Sequence, residues 1–269
     1  MNKAISIILL FLGLSCSLYS QKLDLPESAT YHIKSNAYYI TSIKNSTIVK
    51  QDKTGKKTLF CEIPSPHSLG ITNYNNTLYI VADDQIIGID IASKKQNFII
   101  TIKEAQQLND ITADETGNLY VSDRIANNIY RITIATKKYT PLTKPNTIVT
   151  PNGVFYDQNS KLLLVCNSVE KSEIFSINSV TGEVKTLYKT NFPNFDGIVM
   201  DNHQNIYVTS WDKDWKISKL IRFSKKEKQP KIIINNAKGM ADLNYNTKED
   251  KLIITNSFDN SITLLKSNQ

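Results

Sequence analysis

Four oxygen-bearing residues, Glu27, Asn109, Asn152 and Asp196, stand far apart in the chain, each followed by a small or acidic neighbour (Ser28, Asp110, Gly153 and Gly197). Two carboxylates and two amides are hard donors of mixed charge. Brought to one point, they suit Ca²⁺ or a similar divalent cation. Taken singly, Asn-Asp, Asn-Gly and Asp-Gly are also ordinary turn dipeptides. The chemistry therefore depends on what the rest of the chain does with them. No Ser-His-Asp order, Gly-rich phosphate loop, zinc spacing or paired-Cys motif accompanies them.

Each pair opens a repeated unit. The clearest copy runs from Thr150 to Ser168: a polar turn, a short strand, an Asp/Asn/Ser/Lys turn, an apolar strand Leu162-Leu-Leu-Val165, and a polar loop. The same grammar recurs at Ser28, Gly70, Asp110, Gly197 and Asp242, in steps of about 40 to 45 residues, the period of a propeller blade. Two further strand-like runs follow in each unit, as in Glu173–Ile177 and Glu183–Tyr188. Four short strands in six units predict an all-β, six-bladed β-propeller. The blades run over roughly 28–66, 67–107, 108–148, 149–193, 194–237 and 238–269, with no linker between them, so residues 21–269 read as one domain. Blade six ends after three strands, and the short Lys22–Leu25 segment is the candidate for its fourth.

In a propeller the innermost strands line a central channel. The residue before each alignment point then recurs around the axis as Glu27, Leu69, Asn109, Asn152, Asp196 and Ala241. Carboxylates and amides crowded in a narrow channel are costly without a partner, so an ion or ordered water is expected there. Residues leaving the second strands share that face: Asp83, Asp123, Arg124, Asn167, Ser168, Trp211, Asp212 and Asn256. Arg124 is a candidate for holding a substrate carboxylate or phosphate, or else for pairing with Asp123 or Asp83. Trp211 is a candidate apolar or sugar-stacking wall. His67 lies near the mouth, but Leu69 takes the inward position of its blade, which leaves His67 a reserve base. His32 and His203 fall away from the mouth.

At these positions the chain resembles the gluconolactonase/senescence-marker family of calcium-dependent six-bladed propellers, with paraoxonases as relatives. The resemblance rests on Pro26-Glu27-Ser28, Leu108-Asn109-Asp110, Pro151-Asn152-Gly153 and Phe195-Asp196-Gly197. It implies that Glu27, Asn152 and Asp196 bind the metal, that Asn109 contacts metal or substrate, and that Asp196 is the catalytic base. One departure stands out: Gln107 occupies the place where gluconolactonases carry a basic residue that helps hold the sugar lactone. The segment from Leu119 to Ile132 also resembles the NHL propeller repeat, whose members are often binding scaffolds.

Net charge is +7, but the lysines fall in matching outer turns (Lys56-Lys57, Lys94-Lys95, Lys137-Lys138, Lys225-Lys226), which describes a solvated rim. With no basic helix or aromatic-rich motif beside them, nucleic acid is not an expected partner. Lys3 followed by the apolar run Ala4–Leu14 reads as a signal peptide, residues 1–20, too short to span a membrane. Leu14-Ser15-Cys16 ends like a lipid-attachment box, but Gly13 sits where that box takes an aliphatic residue, which favours plain export. Cys61 and Cys166 fall on opposite sides of the disc and are not expected to pair. The sequence thus predicts an exported, Ca²⁺-dependent hydrolase of lactones or related esters. The alternative is a non-catalytic propeller that binds a ligand or protein and uses the ion as a structural pin.

Overall fold

The computed structural model describes residues 21–267; the expected leader, including Cys16, lies outside the described residues. Strands alone make up the regular structure of the described residues. They form six antiparallel sheets, each running in chain order from an inner to an outer strand: a six-bladed β-propeller. The inner strands are Pro26–His32, Ile71–Tyr74, Leu108–Ala113, Pro151–Asp157, Phe195–Met200 and Met240–Asn246. Each packs against the next, and the last against the first, which closes the ring.

Burial follows position in the blade. Second strands such as Ala37–Ser42 and Thr77–Ala82 are buried at every residue, whereas the outer strand Gln96–Thr101 alternates. A second strand has a strand on either side and a blade above and below, hence its continuous apolar runs. The cores lie between blades: Tyr79, Val81 and Phe98 of blade two pack with Leu108, Leu119 and Tyr130 of blade three. Inter-strand turns are fixed by local side chains, as where Asp114 Oδ1 accepts the Thr116 and Asn118 N–H groups at 2.8 and 2.9 Å.

Blade six has three strands, and Lys22–Leu25 does not add a fourth. Leu23 instead inserts its side chain, 2% exposed, among Tyr31, Tyr38 and Ile253 at the junction of blades one and six. Leu25 then turns the chain inward at φ 58°, its N–H donating to Asn260 Oδ1 at 2.8 Å and its carbonyl accepting from Ile43 N–H at 3.0 Å. A segment committed to that turn cannot also run along the outer edge of Ser261–Lys266. Cys61 and Cys166 are both free thiols, as expected.

Candidate functional site

The recurring dipeptides sit in a backbone irregularity that the sequence did not disclose. In five blades the ladder sets two inner-strand residues against one residue of the second strand, a β-bulge: Glu27-Ser28 against Thr41, Asn109-Asp110 against Ser122, Asn152-Gly153 against Cys166, Asp196-Gly197 against Thr209, and Ala241-Asp242 against Thr255; in blade two the corresponding kink, Leu69-Gly70 against Val81, lies just ahead of the inner strand. A bulge breaks the strict alternation of a strand and re-aims side chains. The facing hydroxyls stabilise it. Thr41, Ser122, Thr209 and Thr255 accept the N–H of Ser28, Asp110, Gly197 and Asp242 at 2.9 to 3.1 Å. Three of the facing residues also stitch neighbouring blades together. The Cys166 thiol, Thr209 and Thr255 donate to the carbonyls of Asp196, Ala241 and Glu27 at 3.2, 2.5 and 2.6 Å. The signal was present in the sequence as a Thr, Ser or Cys at one fixed place in the second strand, but its role depends on the register.

The bulges at Glu27-Ser28 and Asn109-Asp110 turn both residues of the pair toward the axis, and the other three turn one. Glu27, Asn109, Asn152 and Asp196 line one narrow axial pocket, and Ser28, Gly70, Asp110 and Asp242 line it with them. The two extra aspartates stand at the alignment points themselves, one residue beyond those singled out from sequence. Both are tied into the frame. Asp110 accepts the N–H groups of Ile111 and Val154 at 2.7 and 2.8 Å, and Asp242 accepts the Leu243 N–H at 2.7 Å and the Ser28 hydroxyl.

Four carboxyls in so small a space perturb one another. Burial, then the nearby charges of Asp196 and Asp242, push Glu27 well above the usual carboxylate range, partly offset by Arg124. Asp242 is raised well above its ordinary value by burial and by Asp110, and Asp110 is pushed up to about 7, mainly by burial. Asp196 is also raised by burial, but Trp211, Arg124 and Asn152 each pull it back. The cluster is short of positive charge.

Asn152 supplies the sharpest sign of a missing partner. It is 2% exposed, its Nδ2 donates to the Phe195 carbonyl at 3.3 Å, and its Oδ1 is buried with no donor. A buried amide oxygen left unpaired costs about 1–3 kcal/mol. Among the described residues no three His, Cys, Asp or Glu side chains gather as a set able to hold a metal ion. A cation here needs amide oxygen beside the carboxylates, and Asn152 Oδ1 offers one. Glu27, Asp196 and Asn152 thus fit a hard divalent ion of the Ca²⁺ type.

Two candidate residues at the mouth, Trp211 and Arg124, act on the axial carboxylates. Trp211 is 5% exposed and works inward, its Nε1–H donating to Asp196 Oδ2 at 2.8 Å. Arg124 pairs with neither Asp123 nor Asp83. Asp123 is taken up by the N–H groups of Gln106, Gln107 and Ala126, and Asp83 by His67 and Ser65. The Arg124 Nε is buried without a partner, and its charge acts on Glu27 and Asp196. On the rim of blade two, His67 Nδ1 lies 2.9 Å from Asp83 Oδ1, beside a cavity of about 360 Å³ that Gln107 and Leu108 also line.

A ring of six blades with acidic bulges on its axis defines a class of propeller enzymes and binding proteins. Residues 25–258 match the SMP-30/Gluconolactonase/LRE-like region, and the chain belongs to that family. Comparison with curated proteins finds no match. Among solved structures, a gluconolactonase from Xanthomonas campestris superposes with a TM-score of 0.76 at 13% identity, covering 93% of this chain and 88% of that one. The calcium-binding protein regucalcin from Agrobacterium tumefaciens gives 0.69 at 16% identity over 88% and 84%. Virginiamycin B lyase from Staphylococcus aureus gives 0.64 at 17% identity over 93% and 88%. At these identities the likeness is one of fold.

Proposed function

We propose that this chain is an exported, Ca²⁺-dependent hydrolase of lactones or related esters. The observation that carries the reading is the buried, unpaired Asn152 Oδ1 beside the carboxylates of Glu27 and Asp196 on the propeller axis. Family membership supports the reaction class.

Glu27, Asn152 and Asp196 hold the cation in this reading. When bound, it polarises the substrate carbonyl and stabilises the negative charge that develops on that oxygen. Asp196 takes the proton from the attacking water, a role that requires its carboxylate form. The Trp211 indole N–H and the Arg124 charge both favour that form against the effect of burial. Asn109 positions the substrate from the neighbouring bulge, and the Arg124 guanidinium charge favours a substrate carbonyl or carboxylate at the mouth. Export of the chain beginning at Gln21 completes the proposal.

The test is a metal analysis of purified protein followed by a panel of lactones, esters and phosphoesters with and without chelator. Turnover that a chelator abolishes and Ca²⁺ restores is expected. A protein that holds its ion and turns over nothing in the panel is a binding scaffold.

A further inference from the structure

The mouth of the axial site carries an apolar feature that holding the cation does not require. Trp215 and Phe258 are 42% and 51% exposed, and Ile217, two residues beyond Trp215, is 40% exposed. The Trp215 and Phe258 rings lie 5.8 and 5.5 Å, centroid to centroid, from Trp211, whose indole holds Asp196. The exposed aromatics are therefore one ring away from the proposed base.

Each is built into its loop. Trp215 has φ 55°, a left-handed conformation that a bulky L residue seldom takes and that tends to persist at functional sites. Asp212 holds the loop in that shape, its Oδ1 accepting the N–H groups of Lys216 and Ile217 at 2.8 and 3.2 Å while its own N–H donates to the Ile217 carbonyl at 2.8 Å. Phe258 lies over Gly239, which has φ 80° and where a Cβ would come within 2.9 Å of the ring. The two loops come from different blades, and both place a large, partly exposed aromatic against the same indole, Trp211. Exposed aromatics gathered around one buried ring are a feature of interaction sites.

We propose that Trp215 and Phe258 form the apolar wall of the substrate subsite, and that the substrate is a lactone or ester bearing an alkyl or aryl substituent rather than a polyhydroxylated sugar lactone. Gln107, an uncharged amide near the mouth, agrees with a substrate that carries little charge. The inference rests on the hydrolase reading of the same axial site.

A chain-length series tests it: an unsubstituted five-membered lactone, the same ring with alkyl chains of increasing length, and a sugar lactone. Burying each methylene against the wall should raise kcat/KM about two- to fourfold until the wall is covered. Trp215→Ala and Phe258→Ala should each collapse the ratio of long-chain to unsubstituted rates. A preference for the sugar lactone, or a ratio that survives in both variants, overturns the wall while leaving the hydrolase reading intact. Tryptophan emission titrated with an alkyl lactam, which is not turned over, reads the wall without catalysis. A saturable change in the wild type that is lost in Trp215→Ala supports the proposal. No change in the wild type overturns it, whatever the lactone panel shows of the hydrolase reading.

Discussion

Blades five and two are built on the same kink and put it to different uses. In blade five Asp196-Gly197 faces Thr209. In blade two the Leu69 N–H donates to the Val81 carbonyl and the Val81 N–H to the Gly70 carbonyl, so Leu69-Gly70 faces Val81. Both second residues are glycines because the next blade comes too close for a side chain: a Cβ would meet Leu243 N at 2.3 Å from position 197 and the Asp110 Cα at 2.7 Å from position 70. The Thr209 hydroxyl accepts the Gly197 N–H, whereas Val81 has no side-chain acceptor and the Gly70 N–H goes to the Asn109 carbonyl of blade three. Blade five thereby presents a carboxylate to the axial pocket, whereas blade two reaches it only with Gly70, and Leu69, expected at the inward position, lines the rim cavity beside His67 instead. The polar groups of blade two, His67 and Asp83, have moved out to the rim. The frame is thus general, and the residues at the kink decide whether a blade brings a carboxylate to the axial pocket.

The largest expected effect separates the two blades directly. Asp196→Asn keeps size and one oxygen but cannot take a proton as a carboxylate does, so turnover at saturating Ca²⁺ should fall about 10²- to 10⁴-fold. Full activity in that variant would move the base elsewhere, with His67 of blade two as the next candidate. Steady-state kinetics of Asp196→Asn and His67→Ala, side by side, decide between them.

The acidic bulges should also impose a pH dependence that blade two cannot. Asp110 releases its proton at about 7 in the fold, against the ordinary carboxylate range when unfolded. A raised carboxyl adds stability that is fully present below the unfolded value and is lost as pH rises through the folded one. Glu27 and Asp242 shift in the same direction. Chelated protein should therefore melt lower at pH 8 than at pH 5, and Ca²⁺ should restore most of the difference. A melting temperature that is flat or rises over that range would show the carboxyls to be compensated within the chain.

A smaller effect probes the frame itself. Thr209→Val removes the partner of two buried groups, the Gly197 N–H and the Ala241 carbonyl. Denaturant unfolding should register a loss of about 1–3 kcal/mol. The reciprocal change in blade two, Val81→Thr, should gain nothing, because the Gly70 N–H already has its acceptor. Stabilisation by Val81→Thr would mean that the two blades do not differ in the way described.

The ring of six blades and the residues facing the axis were legible because a blade repeats its turn chemistry and its buried runs at a fixed period. Glu27, Asn109, Asn152 and Asp196 fell on one pocket for that reason. What escaped depends on register and on contacts across blades. Thr41, Ser122, Thr209 and Thr255 are visible as a column, but only the two-against-one pairing shows that they hold the bulges. Asp110 and Asp242 look in the sequence like alignment marks alone, since strict strand alternation does not send them inward, whereas a bulge does. Trp211 read as a wall because an indole beside a channel commonly is one; its bond to Asp196 crosses between strands. The spacing of Leu23 and Leu25 suggests a strand, whereas Leu23 fills the junction between blades one and six.

On the proposed reading, the axis holds one divalent cation through Glu27, Asn152 and Asp196. Calorimetric titration of chelator-stripped protein with Ca²⁺ tests it most directly, in the wild type and in Glu27→Gln and Asp196→Asn. One ion per chain is expected. Each substitution removes a charge from the ligand set and should weaken affinity about tenfold or more. Wild-type protein that binds no cation, or affinities unchanged in both variants, would contradict the account.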